Sequence, residues 1–389
     1  MTKFKISKII SKICRKKKKV VSIEKDVVSV EKKCDIDNIS DEILILILSR
    51  LPFRDKITCS QVCKKWMELQ HDYMDEVHVC SSSNDSIYPF IQRVEPKTIV
   101  HWNAQFTTRT IDFEKLNLEK IAELQLACLS ISMVPKLDVM SNLTHLTLHE
   151  IKNMDSVVSL PSNLKYLEIS MCKLKSICNL PLGLHTLILS CNKLTECPSD
   201  IAGLNHLSYL DLECNDISRI DTLPESIEYL YLNANINMHV NVFPPNLKEL
   251  FMEQVNMNLI PMNMYTLRHL HTLSLAHNHI SFIHPNIQHL CNLITLTLMD
   301  NNIYDLPIEI CNLHNLRNLS VSINRLTELP IEFRELISLN YFDLESNGFE
   351  DVPDYIQSSF NFCDNKIAKS HKRHWDNSIK QQKGRVQWV

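Results

Sequence analysis

The chain has 389 residues, 44% hydrophobic and 22% charged, which is enough apolar material for two or three packed domains or one long repeat array. Its 4 glycines lie far apart, excluding a glycine-rich phosphate cradle, and its 14 cysteines include no C-x-x-C pair, which argues against a zinc ribbon or a thioredoxin-like site. The net charge of −4 hides an asymmetry: residues 1–33 carry 12 Lys or Arg against Glu24, Asp26 and Glu31, or +9, leaving −13 for the remainder, a basic arm ahead of an acidic body.

No run of 18 apolar residues occurs, so no membrane span is predicted. The basic start lacks the apolar stretch of a secretory signal. An intracellular chain, cytoplasmic or nuclear, with free and mostly buried thiols is therefore expected.

Residues 1–34 are expected to be a disordered arm, because like charges at this density repel. Arg15 to Lys19 suit nuclear import or an anionic surface. Phe4, Ile6, Ile9, Ile10 and Ile13 would form an apolar stripe on a helix, and Cys14 beside it is positioned for acylation at a membrane surface.

Residues 35–75 read as short helices. Ser40 is placed to cap one, with Asp41 and Glu42 at its positive end. Ile43, Leu44, Ile47, Leu48 and Leu51 follow helical spacing, and Pro52 stops the run. A second run carries Ile57, Val62, Cys63 and Trp66. Forty residues make a marginal fold alone, so this apolar surface calls for a partner.

Glu42-Ile43-Leu44, Ile47-Leu48, Leu51, Asp55 and the closing Val62-Cys63-Lys64-Lys65-Trp66 resemble the F-box family. The segment departs from that pattern at Ile39-Ser40, where Leu-Pro is usual, at Lys56-Ile57 and at Leu48. The resemblance implies docking onto a Skp-type adaptor and, through it, a cullin ubiquitin ligase. It assigns adaptor contact to Ile39, Glu42, Ile43, Leu44, Ile47, Leu48, Leu51, Pro52, Ile57, Val62, Cys63 and Trp66, as apolar anchors in a groove. The competing reading is a helical cap that merely seals the solenoid.

Residues 76–117 are taken as a connector and cap. From 118 to 360 one phrase recurs. Leu184 to Leu194 read L-x-x-L-x-L-x-x-N-x-L, and the stretches opening at Leu207, Leu270, Leu293, Leu316 and Leu339 repeat it. About eleven repeats open at Ile121, Leu143, Leu164, Leu184, Leu207, Ile227, Leu247, Leu270, Leu293, Leu316 and Leu339, with periods of 20 to 23 residues. This is the leucine-rich-repeat pattern. The fold class is therefore α+β: a small helical F-box domain, then a solenoid whose parallel sheet curves around a concave face. The 20-residue repeats carry Leu-Pro turns, as at Leu180-Pro181 and Leu223-Pro224; the 23-residue ones carry an added half-turn.

Asn192, Asn215, Asn235, Asn278, Asn301, Asn324 and Asn347, with Cys172 in the same slot, should turn inward and satisfy buried backbone groups. Leu129, Ile151 and Val255 break the series, so looser bends are expected there.

Residues between the leucines face outward. There Tyr166, Tyr209, Tyr229, Tyr231 and Phe251 lie among Glu168, Asp211, Glu213, Glu249 and Glu253. Aromatics flanked by carboxylates have the composition of a hot spot for a basic target protein; the plainer reading is that Tyr suits a half-wet strand face. The acidic sign argues against nucleic acid on this face.

Residues 361–389 form a basic tail whose Phe360–Phe362 start would cap the last repeat. Cys363 has His371 and His374 nearby, but so short a tail builds no pocket to activate a thiol. The reading is therefore non-catalytic and needs no cofactor or metal. It makes the chain a substrate-recognition subunit of an SCF-type ubiquitin ligase or, alternatively, a repeat scaffold or decoy without ubiquitin transfer.

Overall fold

The computed structural model describes residues 76–80, 97–102, 117–129, 134, 136–157 and 159–349. The basic arm, all twelve adaptor-contact residues and the carboxy-terminal tail lie outside them. The chain divides into two compact units, 1–143 and 144–389. In the first unit, strands Glu76–Cys80, Thr98–Trp102 and Glu123–Ala127 pair in parallel in that order. A short 3-10 turn comes next at Leu137–Val139.

The second unit is built on ten parallel strands in chain order: His145–His149, Tyr166–Ser170, Thr186–Ile188, Tyr209–Asp211, Tyr229–Tyr231, Glu249–Phe251, Thr272–Ser274, Thr295–Thr297, Asn318–Ser320 and Tyr341–Asp343. Parallel strands with short returns, each in register with the one before, make a leucine-rich-repeat solenoid. The register keeps equivalent residues opposite one another. Thus Leu210, Leu230, Leu250 and Leu273 share one row, and all four are fully buried. Burial of each such side chain contributes about 1.5–3 kcal/mol.

Repeat length decides what backs the sheet. Where successive repeats open 23 residues apart, five-residue 3-10 turns fill the return, at Ser199–Gly203, Met262–Thr266, Pro285–His289, Ile308–Asn312 and Ile331–Glu335. Pro198, Pro261, Pro307 and Pro330 precede four of them. Each turn sends apolar side chains inward, among them Ile201, Met264, Ile287, Ile310 and Phe333. Where the spacing is 20 or 21, no room remains for a turn. The backbone instead crosses extended and satisfies its polar groups by pairing with its neighbour: Ser156–Val157 with Ser176–Ile177, and Arg219–Ile220 with His239–Val240.

The asparagines do turn inward. Asn215 donates through Nδ2 to the carbonyls of Leu189 on the preceding rung (2.9 Å) and Leu212 (3.0 Å), and its Oδ1 accepts from the Leu194 amide (3.0 Å). Cys172 performs both roles with one thiol: its Sγ accepts from the Ile151 amide (3.3 Å) and donates to the Ser170 carbonyl (3.1 Å). Burial pushes that thiol up to about 11, so it keeps the proton it donates.

The looser bends expected at Leu129, Ile151 and Val255 do not occur. The residue before each slot is left-handed, with φ from 53° to 59° at Cys128, Glu150, Met171, Cys191, Cys214, Ala234, Gln254, His277, Asp300, Ile323 and Ser346. The three rungs lacking a polar slot residue take the same path as the rest. At Val255 the reason is visible: its amide donates to Asn278 Oδ1 of the next rung (3.1 Å), so the bend is held from downstream.

The cysteines also differ from expectation. Among the described residues only Cys128, Cys172 and Cys311 are buried, Cys197 is intermediate, and Cys178, Cys191, Cys214 and Cys291 are exposed. Cys191 and Cys214 sit at left-handed bends.

Candidate interaction face

All ten residues singled out on the repeat face are half-buried in the second unit. The register divides them into two groups. Tyr209, Tyr229 and Glu249 form one row, and Asp211, Tyr231 and Phe251 the next. On the other side, Thr186 and Ile188 separate Tyr209 and Asp211 from Tyr166 and Glu168.

Strand spacing of about 4.8 Å brings successive rings into contact. Tyr231 stacks on Phe251 with centroids 4.9 Å apart and planes at 10°. Tyr209 lies 5.1 Å from Tyr231 and 6.1 Å from Tyr229, both tilted. Four rings over three rungs make a continuous aromatic ribbon, held further by the Tyr231 hydroxyl donating to Glu249 Oε2 (2.9 Å). Burial, then the Glu249 carboxylate, pushes the Tyr231 phenol well above its ordinary range, so this hydroxyl stays a donor.

Glu213 and Glu253 follow the ribbon along one edge, while Asp211 and Glu249 stand within its two rows. Asp211 Oδ1 accepts from the Glu213 amide (2.9 Å). Asn233 ties two rungs together: its Nδ2 donates to Glu213 Oε1 and its Oδ1 accepts from the Glu253 amide (2.7 Å). Ser274 donates to Glu253 Oε1. Burial raises the pKa of Asp211, with Glu168 adding repulsion, and burial, then Asp211 and Glu253, raises that of Glu213. These carboxylates are held by neutral donors rather than cations. The outward columns from His145 to Glu345 contain no Lys or Arg at any of their thirty positions, three on each of ten rungs, and seven are Asp or Glu.

Tyr166 and Glu168 form a separate network. The Tyr166 hydroxyl donates to Glu168 Oε2 (2.8 Å), Ser170 Oγ donates to Glu168 Oε1 (3.0 Å), and His149 Nδ1 meets Ser170 Oγ at 2.8 Å. His145 stacks on Tyr166 at 5.8 Å. Ser170 gives its proton to the carboxylate, not to the imidazole, so this is not the arrangement of a serine nucleophile.

Asn233, Ser170, Ser274 and His149 are not marked out by the sequence. They stand in the outward columns, but a small polar residue carries no pattern of its own, and its partner stands one rung away. From Thr272 to Ser322 the face is mostly small and polar, with Thr272, Ser274, Ala276, Thr295, Thr297, Asn318, Ser320 and Ser322 beside Met299, and Tyr341, Asp343 and Glu345 restore a ring and carboxylates on the last rung.

Family models match three stretches of the chain: the F-box domain at residues 36–74, the FNIP Repeat at 215–254 and the Leucine Rich Repeat at 269–290. No curated protein matches the chain. Among solved structures, a leucine-rich-repeat protein of Leptospira interrogans is 22% identical with a TM-score of 0.59, covering 84% of this chain and 92% of its own. An internalin of Listeria monocytogenes is 17% identical with a TM-score of 0.45, covering 84% of this chain and 81% of its own. The first likeness speaks for the fold alone. No described helix is long and apolar enough to cross a membrane.

Proposed function

Starting from an F-box/leucine-rich-repeat protein, whose two modules are of the interaction kind, we propose that the chain is a non-catalytic substrate-recognition subunit of an SCF-type ubiquitin ligase. Its F-box would hold a Skp-type adaptor, and through it a cullin. Its repeat face would hold a target protein through a basic segment. The gain is effective concentration: target lysines are kept near the charged ubiquitin-conjugating enzyme.

The observation that carries the target half of this reading is the aromatic ribbon with its partly buried carboxylates, in outward columns that hold no Lys or Arg. Cationic side chains from a partner would meet desolvated carboxylates set among aromatic rings, and the neighbouring Lys248 is already ion-paired with Glu228. Phosphate backbones would be repelled.

The test is co-purification of the full chain with a Skp-type adaptor and cullin, comparing the native sequence with Leu51→Ala plus Trp66→Ala. Adaptor and cullin with the native chain, and neither with the variant, are expected. Equal recovery from both chains overturns the F-box assignment. Adaptor without cullin favours a decoy, a reading supported by Ile39-Ser40 standing where Leu-Pro is usual.

A further inference from the structure

We propose that Cys191 and Cys214 form an oxidisable cross-rung thiol pair that closes to a disulfide by exchange with a low-molecular-weight disulfide.

The pairing rests first on backbone register. The strands preceding the two cysteines pair Thr186 with Tyr209 and Ile188 with Asp211, an offset of 23 that sets Cys191 opposite Cys214. The register persists to the bend, where the Cys191 amide donates to the Glu213 carbonyl at 2.8 Å. Rungs about 4.8 Å apart place the two Cα atoms inside the roughly 4.4–6.8 Å window of a disulfide. Both residues hold nearly the same left-handed backbone, φ 55° and 53°, so both side chains leave the bend in the same direction. Both are exposed, within reach of a small disulfide in solution. The two thiols also lie close enough for Cys191 to raise Cys214 electrostatically.

The chemistry assigns each sulfur a role. Partial burial, then Cys191 and the Glu213 and Asp211 carboxylates, raise the Cys214 thiol, so Cys214 waits as the protonated, resolving partner. The Cys191 thiolate attacks one sulfur of the small disulfide, forms a mixed disulfide and expels one small thiolate. Cys214 then gives its proton to solvent and attacks the Cys191 sulfur. The protein disulfide forms and the second small thiolate leaves. The two protein thiols are oxidised as the reagent is reduced to two thiols, and the two protons released are taken up by those thiolates.

The bond would clip together two adjacent rungs beside the acidic edge. Cys214 comes directly after Glu213.

The test treats the reduced full chain with glutathione disulfide under native conditions, caps remaining thiols, and maps tryptic peptides without reduction. Peptide 176–193 linked to 194–219 is expected, lighter by two hydrogens than the free pair, with fragment ions placing the bond at Cys191 and Cys214. Cys191→Ser and Cys214→Ser should each abolish this link, and urea should reduce its yield, because the register that aligns the thiols is lost. Recovery of Cys191 and Cys214 as free thiols or as separate glutathione adducts overturns the proposal. So does a bond mapped instead to Cys178 and Cys197, which lie in the same two peptides.

Discussion

The repeats opening at Leu207 and Ile227 and those opening at Leu270, Leu293 and Leu316 present the same sheet to solvent with opposite economies of chain. The former are backed by two-residue strands, Arg219–Ile220 and His239–Val240, and display Tyr209, Tyr229 and Tyr231, three of the four rings of the ribbon. The latter are backed by five-residue 3-10 turns and display small hydroxyl and methyl groups. Three residues per repeat separate the two backs, yet the strand register runs through unchanged from Tyr209 to Thr295. The face and the back of such an array are therefore set by separate residues, which lets the face vary while the stacking stays fixed.

Core deletions probe the backs, where the largest effects are expected. Phe333 comes from a 3-10 turn, is fully buried and stacks on Phe342 at 5.5 Å. Phe333→Ala should lower stability by about 4 kcal/mol. Ile220, equally buried, comes from a bare strand and is the smaller side chain, and Ile220→Ala should lose about 3 kcal/mol. Chemical denaturation monitored by far-ultraviolet circular dichroism measures both. A larger loss at Ile220 would break the distinction between turn-backed and strand-backed repeats.

The slot asparagines test what the two blocks share. Asn235 is wholly buried, donates to Leu212 and Leu232 and accepts from the Ile217 amide. Asn235→Ala would leave these groups unsatisfied and should destabilise by about 3 kcal/mol; Asn324→Ala in the long-repeat block should match it. The same denaturation curves read both, and a clear inequality would mean that the ladder is carried by one block.

Binding sharpens the contrast of faces. Tyr231→Ala removes the ring in contact with both Tyr209 and Phe251 and should weaken capture of an arginine-rich peptide about tenfold, roughly 1.4 kcal/mol. Thr297→Ala on the hydroxyl face should leave that affinity unchanged. Fluorescence anisotropy decides, and equal losses would deny the ribbon a special role.

The smallest effect is a pH slope. Asp211 and Glu213 have raised pKa values when folded, so the folded chain holds protons that the unfolded chain has released. Their contribution to stability is present at low pH and is lost as pH rises through the folded values. Asp211→Asn with Glu213→Gln should therefore unfold at a higher temperature than the native chain at pH 7, and the gap should close as the pH falls toward the ordinary carboxylate range. Thermal melts across that range measure it; a gap that widens in acid would reverse the assignment. The variant should also lose affinity for the arginine-rich peptide, since desolvated carboxylates are retained at a loss of stability.

The fold was legible because leucine spacing is a long-range signal repeated many times: the opening positions and their changes of period were countable. The strand pairs behind the short repeats were not, because Arg219-Ile220 and His239-Val240 are ordinary dipeptides whose extended form comes from the missing three residues. On the face, the aromatic and acidic columns emerged from counting, whereas the ribbon depends on ring angles that register alone does not set. Asn233 bridging Glu213 and Glu253 was invisible for a related reason: its partners come from two different rungs. Val255 misled because its bend is secured by a residue 23 positions later.

Eleven corners turn left-handed without a single glycine among them, and each such corner carries roughly 1–2 kcal/mol of backbone strain. Ile323 is the extreme case, a β-branched side chain at φ 53° with 42% of its surface in water. Replacing it with asparagine would relax the corner without touching the core, so this protein has unused headroom for heat tolerance at its most awkward angle.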